Sequence, residues 1–328
     1  MVHSSGFHSL NNIKNYQLMQ NPIVKIENLS HRYATAWAVQ NINIEINKKG
    51  IYGLLGSNGA GKSTTMNILC GVLNQTAGEV HIDGISLRNA PIEAKKHIGF
   101  LPQVAPLYLN LTVYEYLLYC ARLREMNEAS IQAALDEVML KCGITHVQDR
   151  LLKNLSGGYR QRAGIAQAIV HKPKLVILDE PTNGLDPIQI IEVRNLIKEI
   201  ANDRTVILSS HILSEIQVLC QEIIMIEQGR LVFSDSIDAF NNYIAPQSML
   251  LEFENAPTVE VLGLIKGVNR VERLTHKSFR LFYDGSRTVS EHIITISVQE
   301  GWRLMQLAIE KNSIDEIFKQ LTKSASNN

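Results

Sequence analysis

Residues 56–63, Gly-Ser-Asn-Gly-Ala-Gly-Lys-Ser, combine small side chains, a lysine and a hydroxyl at a spacing that suits a polyphosphate. Small residues let the backbone amides of Gly56, Ser57, Asn58, Gly59, Ala60 and Gly61 curve around an anion. The helix that opens behind them, through Thr64, points its positive end the same way. Lys62 would reach the β- and γ-phosphates, and the Ser63 hydroxyl would take a place on Mg²⁺. Farther along, Asp179 and Glu180 close the apolar run Leu175-Val176-Ile177-Leu178, and His211 closes a second run that begins at Val206. Ser156-Gly157-Gly158 starts another helix, whose orphan N–H groups and hydroxyl form a second place for an anion. Each feature has a plain reading alone: a glycine turn, a surface acid pair, a structural histidine, an N-cap. The strand ends they share argue for one sheet edge, where α/β proteins bind ligands.

The elements that must position these residues follow from local pattern. Ile51 to Leu55 reads as the strand feeding the glycine loop, and Thr64 to Leu69 as the helix leaving it, ending near Gly71. Ile23 to Ile26 and Ile42 to Ile46 alternate like strands. His31-Arg32-Tyr33 is expected in a short polar turn between them, with the Tyr33 ring suited to stacking on a base. Gly78 to Gly84 reads as a short strand and turn. Ile98 to Gln103 reads as a strand entering a loop bounded by Pro102 and Pro106, where the chain cannot be helical. Residues 112–142 change character: Thr112 can cap one helix, and Ile131 to Met139 forms a second, an insert within an α/β unit. Leu175 to Leu178 suits a strand buried on both faces. Asn183 to Pro187, with Asp186, turns into a helix. From about residue 242 come a strand (248–254), a helix (257–266) and a hairpin around His276-Lys277-Ser278. A helix (290–298), a strand (302–309) and a last helix from Ser313 to Leu321 follow, a ferredoxin-like order.

Composition narrows the function. The 328 residues hold room for one large domain and one smaller. With 45% apolar and 20% charged residues the chain is an ordinary folded mix. Lysine plus arginine equals aspartate plus glutamate at 32 each, so no global field points to nucleic acid. Cys70, Cys120, Cys142 and Cys220 are scattered without a CxxC pair, against zinc or redox chemistry. No run approaches the roughly 18 apolar residues of a spanning helix. The polar stretch from Met1 to Gln20 lacks a signal-peptide core. A cytosolic protein is expected, unless a partner holds it at a membrane.

Together these stretches resemble the nucleotide-binding subunit of an ATP-binding cassette (ABC) transporter. Gly56–Ser63 matches the Walker A loop, Leu175–Glu180 the Walker B strand and Leu155–Gln161 the signature. Gln103 matches the Q-loop, Asp186 the D-loop, His211 the switch histidine and Tyr33 the adenine-stacking aromatic. One position departs: Tyr159 stands where the commonest signature has glutamine. A tyrosine there, followed by Arg-Gln-Arg, is similar to the exporter branch with ABC-type-2 permeases, which includes gliding-motility-associated and multidrug ATPases. The resemblance implies a P-loop NTPase cassette over residues 23–241, with a helical insert at about 104–172. A flexible arm (1–22) would precede it and an accessory α+β domain (242–328) follow. It implies ATP and Mg²⁺ as ligands, with Ser63, Gln103 and Asp179 on the metal, Glu180 as general base and His211 on the γ-phosphate. Ser156 and Gly158 would serve the nucleotide of a second subunit, giving a homodimer docked at the cytoplasmic face of a membrane on a separate permease chain. A soluble ABC-type ATPase acting on nucleic acid or ribosomes is the alternative. One Walker A, no heptad run and no basic surplus weigh against it.

Overall fold

The computed structural model describes residues 21–210, 212–243, 247–310 and 314–326. β1 (Val24–Tyr33) and β2 (Ala36–Ile46) form an antiparallel hairpin that buries Val24, Ile26, Ile42, Ile44 and Ile46. The expected turn at His31-Arg32-Tyr33 is not there. These residues extend β1 and pair with Val39, Trp37 and Ala36, and the chain turns at Ala34, where φ is 50°. Register shifts flank His31, and such bulges break the alternation by which a strand is read.

β3 (Gly50–Leu55) leads into α1 (Lys62–Leu69), and β4 (Ala77–Ile82) and β5 (Ile85–Ser86) complete a first sheet in the order β2-β1-β4-β5. After α2 (Pro91–Lys96) and β6 (Ile98–Leu101) comes the helical stretch of α3 (Val113–Leu123), α4 (Glu128–Lys141) and α5 (Gly157–Ile169). Thr112 starts α3 with a capping box: its hydroxyl accepts the Glu115 N–H, and the Glu115 carboxylate accepts the Thr112 N–H at 2.8 Å. Then follow β7 (Leu175–Asp179), α6 (Pro187–Ala201), β8 (Thr205–Ser209), α7 (Leu213–Leu219), β9 (Glu222–Glu227), β10 (Arg230–Ser236) and α8 (Ile237–Asn241). The second sheet runs β10-β9-β3-β8-β7-β6, parallel except for β10. Its β7 explains the unbroken apolar run. Leu175 and Ile177 join the core shared with the first sheet, while Val176 and Leu178 join the core under the helices.

β11 (Ser248–Phe253), α9 (Val259–Gly263), β12 (Val268–Arg273), β13 (Ser278–Tyr283), α10 (Arg287–Gln299) and β14 (Leu304–Glu310) form a third sheet, ordered β12-β13-β11-β14 and antiparallel throughout. That is the ferredoxin-like arrangement, around its own core of Met249, Leu251, Phe253, Phe279, Leu281 and Ile293. α11 (Ile314–Ser326) leaves this sheet and returns to the main core, against β10, α7 and α8, with Ile317 and Leu321 buried beside Phe240. Ser313, expected to open that helix, lies outside the described residues. Replacing the fully buried Ile317 by alanine should cost about 2–4 kcal/mol of unfolding free energy in urea titration. A loss under about 0.5 kcal/mol, the range of surface substitutions, would show that α11 does not pack as described.

Candidate functional site

β3, β7 and β8 are parallel neighbours, so their carboxyl ends open on one edge. Off β3, residues 56–61 form the loop that ends where α1 begins. Gly56 has φ 155°, and a Cβ there would sit 2.1 Å from the Ile226 carbonyl oxygen, so only glycine passes. Ser57 donates both its N–H (3.1 Å) and its hydroxyl (2.6 Å) to the Glu227 carboxylate at the end of β9. Ala60 accepts the Gly229 N–H at 2.9 Å, and Gly229 in turn accepts from Gln40 of β2 at 2.7 Å. The loop is thereby held from two strands before any ligand contributes. Lys62 Nζ curls over it, donating to the Gly56 and Ser57 carbonyls at 2.9 and 3.0 Å. Burial lowers its pKa, and the charges of Glu180, Glu227 and Asp179 act in the opposite sense. A desolvated cation facing three carboxylates is ready to receive phosphate oxygens.

The two acids diverge at the end of β7. Ser209 joins them: its hydroxyl donates to Asp179 Oδ1 and accepts the Glu180 N–H at 3.1 Å. Glu180 itself is left-handed, with φ 49°, which turns it off the line of the strand. A non-glycine residue held there costs on the order of 1 kcal/mol and persists only where its surroundings fix it. Here the Asn183 N–H closes the turn on the Glu180 carbonyl at 3.1 Å, and Gln161 Nε2 donates to the Pro181 carbonyl at 2.7 Å. Gln103, just beyond β6, is exposed beside Val104, Tyr108 and Leu109, which are exposed as well. Tyr33 is exposed at the tip of the first hairpin, its ring edge-on to His31. His211 lies outside the described residues.

The helix start at Ser156 stands apart. Ser156 caps α5, accepting the Tyr159 N–H, and Asp186 caps α6, accepting the N–H groups of Ile188 and Gln189 at 3.0 Å each. Ser156, Gly158, Asp186 and Gln189 line one shallow hollow. The Gln189 side chain lies so close over Gly158 that a Cβ would come within 2.5 Å of it. Tyr159 lines the hollow too, with its hydroxyl bonded to His146 Nε2 at 3.1 Å and its ring edge-on to the imidazole. The lining of this hollow includes none of residues 56–63, so it is separate from the glycine loop.

Sequence reasoning missed Glu227 and Ser209. Ser209 lies inside the run that ends at His211 but carries no motif there, and Glu227 meets Ser57 from 170 positions away. A groove of about 900 Å³ lies at the far end of the parallel strands, lined by Lys48, Lys49, Lys174, Asp83 and Asp203. Its charges are mixed, with Lys174 paired to Asp83 at 2.6 Å.

The profile of a family described as ABC transporter matches residues 39–183. The chain is 33% identical over 307 residues to the bacitracin transport ATP-binding protein BcrA of Bacillus licheniformis, covering 91% of this chain and 97% of that one. It is 37% identical over 221 residues to the lantibiotic transport ATP-binding protein SrtF of Streptococcus pyogenes, covering 67% of this chain and 93% of the relative. Among solved structures, cbiO1 from Clostridium perfringens, part of the ABC transporter complex cbiONQ, superposes with a TM-score of 0.62 at 28% identity. The match covers 68% of this chain and 92% of that one.

Proposed function

From the premise that this chain belongs to the ATP-binding subunits of ABC transporters, we propose how its residues share the hydrolysis of ATP and where the work is delivered. The protein is an ATPase of that family. The observation that carries the residue assignment is the single edge on which β3, β7 and β8 place a lysine-bearing loop beside two acids. The loop amides and Lys62 hold the β- and γ-phosphates, and Tyr33 takes the adenine face. Among the described residues no group of three or more His, Cys, Asp or Glu is arranged to hold a metal alone. Mg²⁺ suits such a site, because it binds through one or two carboxylates together with substrate phosphates. Ser63, at the second position of α1, Asp179 and Gln103 are the side chains for it. When bound, the ion neutralises charge between the phosphates. Glu180 accepts the proton of the attacking water, and His211 contacts the γ-phosphate.

The hollow of Ser156, Gly158 and Asp186 completes the site of a second copy, so ATP joins two chains head to tail and hydrolysis releases them. The partner that receives this motion is a membrane permease on another chain. No helix among the described residues is long and apolar enough to cross a membrane. Val104, Tyr108, Leu109, Tyr119 and Leu123 are exposed around Gln103 and α3, an apolar surface of the kind that marks an interface. The transport proteins of peptide antibiotics among the relatives support an exporter, held at the cytoplasmic face by its permease.

Ser156→Ala tests the shared site. Its hydroxyl contributes one hydrogen bond to the partner's nucleotide, so hydrolysis should fall about tenfold while ATP affinity of the isolated chain stays unchanged. Equal loss of both would place Ser156 in its own chain's pocket.

A further inference from the structure

Glu215 is a carboxylate with 2% of its surface exposed, on the first turn of α7 and outside every motif above. A buried charge is costly unless donors surround it. Here the donors come from three different elements. The Thr182 hydroxyl donates to Oε2 at 2.7 Å, the Ser210 hydroxyl to the same oxygen at 3.0 Å, and Arg194 of α6 to Oε1 at 3.0 Å. Thr182 and Ser210 are themselves buried. Thr182 lies two residues after Glu180, inside the turn closed by the Asn183 N–H. Ser210 follows Ser209, the residue whose hydroxyl joins Asp179 and Glu180. Arg194 sits on the helix that Asp186 opens.

The left-handed Glu180 turn is gripped by Ser209 on one side and by Gln161 of α5 on another, and its third anchor is Thr182 on Glu215. We propose that Glu215 is a positioning residue for hydrolysis: its carboxylate fixes the Glu180–Asn183 turn against the end of β8 and the start of α6. The general base then stands at one distance from the attacking water, and the turn moves with α6 as one body. An ion pair of this kind stabilises a fold little compared with apolar packing, whereas it fixes register well. A misplacement of about 1 Å at a general base can lower turnover about a hundredfold while leaving substrate affinity alone.

The inference rests on the assignment of Glu180 as the base, and the experiment separates the two. Glu180→Gln in the full-length chain tests the base by itself. Alongside it, Glu215→Gln, Thr182→Val and Thr182→Ser are assayed for ATP hydrolysis, with turnover expressed per ATP-binding site, so that misfolded molecules do not count. Glu215→Gln should lower kcat about tenfold to a hundredfold with KM for MgATP held within about twofold. Thr182→Val, close in shape to threonine, should lower kcat several-fold, and Thr182→Ser, which restores the hydroxyl, should recover it. Wild-type kcat per site in Thr182→Val, or a rise in KM that accounts for the whole loss in Glu215→Gln, would overturn the proposal. Either result leaves the base assignment standing wherever Glu180→Gln is inactive.

Discussion

Glu180→Gln is expected to hydrolyse ATP at less than about one hundredth of the wild-type rate, since general-base catalysis contributes roughly 10²–10⁴-fold. The substitution is isosteric and leaves the backbone bonds from Ser209 and Asn183 in place, so the turn keeps its shape. ATP binding should survive and even tighten, because one of the three carboxylates acting on Lys62 loses its charge just where a polyanion must sit. Bound nucleotide that is not consumed keeps joining two chains, so the variant should run as a dimer on a sizing column with ATP and as a monomer without it. Residual hydrolysis above about a tenth of wild type would remove Glu180 from the role of base, because a lost base costs at least a hundredfold. A monomer in the presence of ATP would count against the shared site.

The parts of the site that the sequence makes legible are those whose physics is local. A cap needs its donor within three residues, and so Thr112 and Ser156 are legible as caps before any fold is known. The glycine loop and the β7 run are likewise contiguous, and the ferredoxin-like order of the last sheet follows from element succession. What escaped is tertiary. Ser57 is held by Glu227, Asp179 and Glu180 by Ser209, and Thr182 by Glu215, across separations of 29 to 170 residues. β9 and β10, which bring Glu227 to the loop, carry no motif of their own. The turn misplaced at Tyr33 has a different cause: three register shifts along β1 interrupt the two-residue period, and polar side chains at a hairpin tip then look like loop. Tyr159 shows the reverse case. The departure from glutamine is visible in the sequence, but only the structure shows that its hydroxyl pairs with His146 while the residue still lines the hollow with Ser156 and Gly158.

Lys62→Ala should abolish measurable ATP binding at concentrations that saturate the wild type, a loss of at least about a hundredfold in affinity. The argument turns on charge as much as on lost contacts. In the wild type the ammonium is partly desolvated, which lowers its pKa, while Glu180, Glu227 and Asp179 hold its proton on. Bringing in a triphosphate adds negative charge beside those three acids, and Lys62 is the side chain that the loop itself supplies to offset it. Without it the phosphates meet uncompensated carboxylates, and truncating one partner of a buried charge pair costs about 2–5 kcal/mol. The fold should be indifferent to the change. The lysine's two hydrogen bonds go to carbonyls of its own loop, Glu227 and Gly229 keep that loop in place, and alanine is a good first residue for α1. Thermal unfolding without nucleotide should therefore match the wild type, while the rise in melting temperature that MgATP gives the wild type should vanish. Undiminished binding in equilibrium dialysis would mean that the loop of residues 56–63 does not hold the phosphates, and the assignment of every residue around it would fall with that result.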